Sequence, residues 1–235
     1  MIHTLRHWMA LGLLTGLPAI VLGMNTNGDT LIIVCFGNST TAVRKGLSKP
    51  YPERLAERFR ERDIPAKIFN AGKGGNHTGR TSDNAFHKGP HAMERFGTDV
   101  LDRRPGYMVL CFGINDAWQD DGRHGRSRIP AREYRRNLRV FQEKVAIQGG
   151  RTIFLGPNPL GERYPAYRNH RLGRYMRISR RVARSTHSDW LDTRQLFRRR
   201  AGEGGIDRLL MDGMHPNDAG HEIIANAILD KIQLK

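Results

Sequence analysis

The chain has 235 residues, a length that suits one compact domain with a full hydrophobic core. Charged residues make up 26% and apolar residues 38%, which excludes an intrinsically disordered chain. Lys and Arg number 39 against 23 Asp and Glu, so the formal net charge is +16; this favours polyanionic partners, although a solvated Arg-rich surface is the simpler explanation.

The N-terminal segment is typical of a secretory signal peptide. Arg6 precedes an apolar run over residues 8–23, and polar residues follow from Met24. The run is short for a membrane-spanning helix, but an uncleaved anchor and a core helix are alternatives. We therefore expect residues 1–23 to be a signal peptide or N-terminal anchor, residues 24–235 to form a single domain, and the protein to be secreted or periplasmic.

Short apolar runs alternate with amphipathic stretches through the rest of the chain. Strands are predicted over residues 31–36, 66–69, 107–112, 152–155 and 189–191. Helices are predicted over residues 51–62, 133–145, 168–184 and 217–232, with broken helical material over 81–96. Strands that alternate with helices indicate an α/β fold, in which helices cover both faces of a parallel sheet.

Neither the cysteines nor the histidines predict a metal site. Cys35 and Cys111 each lie in a predicted strand, so buried free thiols are expected, with a disulfide as the alternative. His87 and His91 lie one helical turn apart, but the Gly89-Pro90 pair interrupts the helix that would align them. We expect no metal and no cofactor.

Polar or glycine-rich segments follow each of the first three predicted strands. They are Gly37-Asn38-Ser39-Thr40-Thr41, Asn70-Ala71-Gly72-Lys73-Gly74-Gly75-Asn76 and Gly113-Ile114-Asn115-Asp116. Each segment alone is consistent with an ordinary turn. The carboxyl ends of parallel strands meet at the edge where open α/β sheets bind ligands, so we expect the three segments to meet there.

A histidine with a built-in acidic partner precedes the last predicted helix. Asp212 lies three residues before His215, so its carboxylate can accept the Nδ1–H of the imidazole and leave Nε2 free to deprotonate a hydroxyl. A structural histidine at a helix start is the alternative. With the three strand-end segments, this block supplies a nucleophile, a base, an orienting acid and oxyanion donors.

These four blocks, in this order, resemble the SGNH (GDSL-like) hydrolases. The Ser, Gly, Asn and His that name the family match Ser39, Gly75, Asn115 and His215, and the resemblance runs from residue 31 to residue 232. It implies a flavodoxin-like, three-layer α/β/α fold with a parallel sheet of about five strands. It also implies a serine esterase that hydrolyses acyl esters without a cofactor.

The resemblance assigns a role to each matched residue. Ser39 is the nucleophile, His215 the general base, and Asp212 the residue that orients His215. The N–H groups of Ser39 and Gly75 and the side chain of Asn115 form the oxyanion hole.

One residue departs from the family pattern. Asn38 stands where the first block usually has Asp, which keeps an acceptor oxygen but removes a charge. The missing charge bears on the catalytic rate more than on the enzyme class, and a catalytically silent relative is the alternative.

The first block also bears on the substrate. Gly-Asn-Ser-Thr-Thr is similar to the first block of carbohydrate esterases that remove acetyl groups, so short-chain, acetyl esters on a carbohydrate are expected. Trp118, Tyr164 and Tyr167 are candidate sugar-stacking side chains, although local packing explains them equally well. A lysophospholipase or thioesterase is the alternative enzyme.

The predicted helix over residues 168–184 carries cations at nearly every turn, at positions 168, 171, 174, 177, 180, 181 and 184. This stripe predicts either a solvated face or a surface for a polyanion such as an acidic polysaccharide. Nucleic-acid binding is the rival hypothesis, but no helix-turn-helix, zinc-finger or RNP-type signature accompanies the stripe.

Overall fold

The computed structural model describes residues 30–84 and 86–232. The predicted signal peptide over residues 1–23 lies outside the described residues. Five strands form one parallel sheet in the order β2-β1-β3-β4-β5. The strands are β1 (Leu31–Gly37), β2 (Ala66–Gly72), β3 (Tyr107–Cys111), β4 (Arg151–Leu155) and β5 (Asp189–Leu191).

The described helices connect these strands or follow them. They are α1 (Tyr51–Glu61), α2 (Ala92–Asp99), α3 (Ile114–Ala117), α4 (Ala131–Ile147), α5 (Ala166–Ser185), α6 (Thr193–Ala201) and α7 (Asp218–Leu229). Short 3-10 helices span Thr81–Asp83, Leu101–Arg103, Gly122–His124, Gly202–Gly204 and Ile206–Leu209.

The central strands are apolar along their whole length because both of their faces are covered. Every residue of β3 is buried, and β1 is fully buried from Ile33 to Phe36. On one face, side chains of α1, α6 and α7 pack against the sheet; on the other face, side chains of α2, α4 and α5 do so. This arrangement confirms the predicted three-layer α/β/α fold with five parallel strands.

Helix starts differ from the predicted ones for a local reason. Pro130 and Pro165 directly precede α4 and α5, each with the φ that proline imposes, so each helix begins two residues earlier than predicted. The prediction also omitted α6, a helix of nine residues that is rich in arginine and therefore shows little apolar periodicity in the sequence.

Other expectations bear on the core and on membranes. Cys35 and Cys111 are buried and free, as predicted. The Asn217 side chain accepts the N–H of Gly220 and thereby caps the N-terminus of α7. Within residues 30–84 and 86–232, no helix has both the length and the apolar character needed to cross a membrane.

Candidate active site

Strand register brings the first three polar segments to one edge of the sheet. Gly37, the last residue of β1, pairs with Gly72 at the end of β2 and with Cys111 at the end of β3. The loops that carry Ser39, Gly75 and Asn115 therefore begin side by side, at the carboxyl edge where open α/β sheets bind ligands.

Three of the predicted site residues form a continuous hydrogen-bonded line. Ser39 Oγ lies 2.9 Å from His215 Nε2, and His215 Nδ1 lies 2.7 Å from Asp212 Oδ2. Ser39 and His215 are separated by most of the chain, so only the fold brings them together. With Nδ1–H donated to the carboxylate, Nε2 of neutral His215 carries a lone pair towards the serine hydroxyl.

The Asp-His segment is held by a tight turn. Asp212 Oδ1 accepts the backbone N–H of Met214 at 3.0 Å and that of His215 at 2.8 Å. Gly213 between them has a φ of +73°, a conformation that other residues rarely adopt. Both carboxylate oxygens of Asp212 therefore bond to groups of Met214 or His215, and these bonds fix the orientation of the imidazole ring.

Local electrostatics keep His215 neutral near pH 7. Burial lowers the pKa of His215, the hydrogen bond to Asp212 opposes that shift, and the positive charge of Arg44 adds to it. Burial raises the pKa of Asp212, but hydrogen bonds from His215 and Met214 outweigh burial and leave that pKa below its usual value. A guanidinium nitrogen of Arg44 lies 3.9 Å from Asp212 Oδ2.

Asn38 takes part in the turn that presents Ser39. It is 1% exposed, and its Oδ1 accepts the N–H of Thr40 at 2.9 Å. Its own N–H donates to the Cys111 oxygen at 3.2 Å, which ties the loop to β3. The acceptor that an Asp would supply is thus present, and only the charge is missing.

The predicted oxyanion donors surround the same edge. Gly75 has a φ of +69°, and the Asn115 side chain donates to the Asn76 oxygen at 2.8 Å. The backbone N–H groups of Ser39 and Gly75 have no protein acceptor in the part of the chain that the structure describes.

A buried arginine that the sequence analysis did not single out clamps the strand ends. Arg95, on α2, is 7% exposed and donates to the backbone oxygens of Gly37 and Ala71, each at 2.8 Å. Its charge is balanced by Asp99 at 2.6 Å. The signal was available in the sequence, because residue 95 lies on the same helical face as the buried residues Ala92 and Phe96.

A second buried side chain joins the nucleophile loop to the histidine loop. Asn158, which follows β4, is 1% exposed. It accepts from the Thr40 hydroxyl at 3.4 Å and donates to the Met214 oxygen at 2.7 Å. Its amide therefore connects the loops that carry Ser39 and His215.

Asp116, in the third polar segment, binds Thr78, two residues beyond the second segment. Its Oδ1 accepts both the N–H and the hydroxyl of Thr78, at 2.8 and 2.6 Å. Burial raises the pKa of Asp116 to about 6. This carboxyl therefore ties the loop that follows Gly75 to the segment that carries Asn115.

Two of the three predicted aromatic side chains form a wall beside the histidine turn. The Trp118 and Tyr164 rings meet edge to face with centroids 6.0 Å apart. A Cβ on Gly213 would lie 3.4 Å from the Tyr164 ring, so the wall borders the turn. The Arg168 guanidinium lies 3.7 Å from the Trp118 ring centroid, and 5.3 Å from that of Tyr167.

The remaining buried histidines contact neighbouring groups, and only His77 Nε2 among their ring nitrogens is buried without a hydrogen-bond partner in the described residues. The His77 and His91 rings stack at 3.6 Å, and His91 Nε2 lies 3.2 Å from the His87 oxygen. His221 Nδ1 accepts the N–H of Tyr51 at 3.1 Å. Among the described residues, no three His, Cys, Asp or Glu side chains form a group that could hold a metal ion.

Sequence comparison with known families gives a match over most of the chain. Residues 35–223 match the GDSL-like lipase/acylhydrolase family. The matched span contains Ser39, Gly75, Asn115 and His215. Lipases and acylhydrolases are carboxylic ester hydrolases, so the enzyme class predicted from the sequence is that of the family.

Two curated relatives are similar over part of their length. The chain is 29% identical over 144 residues to an acetylxylan esterase of Geobacillus stearothermophilus, covering 59% of this chain and 64% of the relative. It is 31% identical over 138 residues to an uncharacterized lipoprotein, YqeF, of Bacillus subtilis (strain 168), covering 55% and 49%. The matched stretches thus span between about half and two thirds of these relatives.

Solved structures share the fold. A catalytic mutant of an acetylxylan esterase from Geobacillus stearothermophilus superposes with a TM-score of 0.71 at 22% identity, covering 88% of this chain and 95% of that one. The predicted resemblance to SGNH hydrolases is confirmed: the chain belongs to the GDSL-like lipase/acylhydrolase family.

Proposed function

We propose that the chain is a serine esterase that removes short acyl groups, acetyl above all, from a carbohydrate. The observation that carries the proposal is the line from Ser39 Oγ through His215 to Asp212, with separations of 2.9 and 2.7 Å. A hydroxyl, an imidazole and a carboxylate in this order are the parts of a catalytic triad.

In the first half of the reaction, Ser39 Oγ attacks the ester carbonyl carbon while its proton passes to His215 Nε2. The tetrahedral intermediate collapses when the bond from carbon to the alcohol oxygen breaks, and His215 returns the proton to the leaving alcohol. Asp212 holds the tautomer and stabilises the transient imidazolium. In the second half, water repeats these steps on the acyl-serine and releases the acid.

The oxyanion would be stabilised by three donors at the carboxyl edge of the sheet. The N–H groups of Ser39 and Gly75 have no acceptor among the described residues, so no protein bond has to break before they bind the oxyanion. Asn115 donates one amide hydrogen to the Asn76 oxygen, which leaves its second hydrogen for the substrate. Each such donor contributes about 3 kcal/mol to lowering the barrier.

A carbohydrate ester is favoured over a lipid by two features. The curated relative with 29% identity is an acetylxylan esterase. The Trp118–Tyr164 wall beside the histidine turn offers an aromatic surface with polar neighbours, which suits a sugar ring better than an acyl chain.

We also propose that residues 1–23 are a signal peptide or an N-terminal anchor and that residues 24–235 are a single catalytic domain. The basic start and the apolar run before Met24 support this, and one curated relative is named a lipoprotein. The esterase would then work outside the cytoplasm, where its polymeric substrate lies. N-terminal sequencing of protein recovered from the culture medium and the cell envelope tests this location.

The test of the activity is hydrolysis of p-nitrophenyl esters of increasing acyl length by the purified full-length protein. Ser39→Ala is the test variant, and Ser82→Ala, at an exposed serine on a 3-10 helix, is the matched control. We expect acetate turnover that is lost only in Ser39→Ala and that declines with acyl length.

Other outcomes would replace this proposal. Preference for long acyl chains would indicate a lysophospholipase or thioesterase. Equal rates for the wild type and Ser39→Ala on every ester, with the fold intact, would indicate a catalytically silent relative.

A further inference from the structure

Two arginines converge beside α5 with no carboxylate between them. A Cβ on Gly173 would lie 3.7 Å from Nη1 of Arg177 and 3.7 Å from Nη1 of Arg194, which follows β5 on α6. Because residue 173 has no side chain, both guanidinium groups lie close to the backbone of α5 and to each other. We call Arg177, Arg194 and Gly173 the arginine pair site.

The arginine pair site lacks the partners that a structural cluster of charges has. None of the salt bridges within residues 30–84 and 86–232 involves Arg177 or Arg194. The Nε of Arg194 is buried and has no acceptor among the same residues. Burial and the nearby Arg198 and Arg177 lower the pKa of Arg194, and the opposing charge of Asp192 does not reverse that shift.

An oxyanion bound by the two guanidinium groups would supply a negative charge and a hydrogen-bond acceptor. It would neutralise the repulsion between two like charges and accept hydrogen bonds from a planar guanidinium, the geometry that suits a carboxylate. The arginine pair site therefore has the charge and the donors of a carboxylate subsite.

Exposed arginines continue the site along α5. Arg174, Arg181 and Arg184 lie on the same face of the helix as Arg177, because their spacing follows the helical repeat. From Arg174 to Arg184 the helix rises about 15 Å. A row of this length suits a polymer with repeated negative charges rather than a single small anion.

The same helix leads to the candidate active site. Arg168, near the start of α5, lies over the Trp118 ring; Trp118 contacts Tyr164, and Tyr164 borders Gly213 in the histidine turn. From Arg168 to Arg177 the helix rises about 14 Å. The same nine residues turn the helix by about 900°, so Arg177 lies on the side of α5 opposite Arg168. A polymer chain bound at the arginine pair site must therefore pass around the helix to reach the serine.

We propose that the arginine pair site and the α5 arginine row bind the carboxylate groups of an acidic polysaccharide whose ester groups are hydrolysed at Ser39. The proposal rests on the proposed esterase function and names the substrate class of the same site. The charged polymer is held by its uronic acid groups while the aromatic wall receives the esterified sugar.

The composition of this surface disfavours two other polyanions. An anionic membrane surface favours apolar side chains that insert, but the exposed large apolar residues of the described chain are Val43, Phe86, Ile147 and Met211, none of them on α5 or α6. Single-stranded nucleic acid binds exposed aromatic platforms. Tyr167 and Tyr175, the aromatic residues of α5, are half-buried and buried.

The first arm of the test measures binding, independently of catalysis. Full-length Ser39→Ala protein is titrated with alginate, a polyuronate, and with neutral xylan. The Arg177→Gln/Arg194→Gln variant is compared with Arg60→Gln/Arg62→Gln, which removes the same charge from the exposed end of α1, next to the opposite edge strand β2. We expect alginate affinity at about 50 mM salt to fall by roughly 10-fold or more in the first variant and by less than about 2-fold in the second.

The second arm measures specificity. Serine-intact versions of both arginine variants, checked for folding by circular dichroism, are assayed on acetylated alginate, acetylated xylan and p-nitrophenyl acetate. We expect the ratio of kcat/KM on acetylated alginate to that on p-nitrophenyl acetate to fall only when Arg177 and Arg194 are changed.

The outcomes separate this inference from the esterase proposal. Specific alginate binding without any Ser39-dependent hydrolysis would overturn the esterase function alone. Ser39-dependent hydrolysis with equal effects of the two arginine variants, or with preference for acetylated xylan, would overturn the acidic substrate alone. Tighter binding of single-stranded DNA or of phosphatidylglycerol vesicles than of alginate, lost in the Arg177/Arg194 variant, would also overturn it.

Discussion

Arg95 Nε donates a hydrogen bond of 2.7 Å to the side-chain oxygen of Asn76, and the backbone oxygen of Asn76 accepts a hydrogen bond from the Asn115 side chain. Through Asn76, the buried guanidinium of Arg95 is therefore connected to the loop that presents Gly75 and to the side chain of Asn115. Because it also bonds the Gly37 oxygen, Arg95 connects the serine loop to the proposed oxyanion donors.

Arg95→Met is expected to lower kcat on p-nitrophenyl acetate by about 100-fold, because misplacing catalytic groups by 1 Å costs that much. Asp99→Asn, which removes the ion pair but keeps the bonds to Gly37 and Asn76, should lose far less. Arg95→Lys should not restore the rate, since one ammonium cannot reach three acceptors in the guanidinium plane. Wild-type kcat in a folded Arg95→Met protein would contradict this role.

Two adjacent glycines provide a matched pair for the proposed oxyanion hole. Gly75 has a φ of +69°, and a Cβ there would lie 2.9 Å from the His87 ring, whereas a Cβ on Gly74 would meet nothing within 4 Å. We expect Gly75→Ala to lower kcat by about 100-fold through displacement of its N–H. Gly74→Ala should stay close to the wild type, and equal effects of the two would argue against Gly75 N–H as a donor.

The sequence predicted what depends on local pattern. Apolar runs gave the five strands because buried parallel strands are apolar on both faces. The carboxyl-edge rule then predicted that the segments carrying Ser39, Gly75 and Asn115 meet, whereas the family resemblance selected those residues within the segments. The contact between Asp212 and His215 was predictable, because a separation of three residues allows a turn in which the carboxylate reaches the imidazole.

The contacts of the supporting residues were not predictable, since they join distant segments, although the spacing of Arg95 on α2 indicated its burial. Arg95 and Asn158 bond to backbone oxygens, which leave no trace in the identity of the residues that carry them. The pairing of Arg177 with Arg194 requires the packing of α5 against the strand that precedes α6. Charge runs in a sequence do not show which cations converge.

The pH dependence of hydrolysis should report His215. Burial and Arg44 lower its pKa from the usual 6.5, so the active, neutral imidazole predominates above a midpoint below pH 6.5 and the rate falls as pH decreases through it. Arg44→Met removes a positive charge that disfavours the imidazolium. The acid midpoint of kcat/KM should therefore move to higher pH in Arg44→Met and return in Arg44→Lys. An unchanged midpoint in Arg44→Met would exclude this electrostatic role.

Stability at acid pH should depend on His221, which is 2% exposed and accepts the Tyr51 N–H through Nδ1. Burial and the nearby charge of Arg54 lower the pKa of His221 to about 4 in the folded protein. The unfolded chain takes up the proton near pH 6.5, so the stabilising contribution is complete above pH 6.5 and is lost as pH falls to about 4.

Between those limits the contribution of His221 to the free energy of unfolding amounts to about 3 kcal/mol. His221→Gln removes the titrating group and keeps an acceptor for the Tyr51 N–H. Urea denaturation across this pH range should show a steeper loss of stability for the wild type than for His221→Gln, with the two curves converging towards pH 4. Parallel curves would mean that the His221 imidazole titrates alike in the folded and unfolded chains, and that burial against α1 does not hold it neutral.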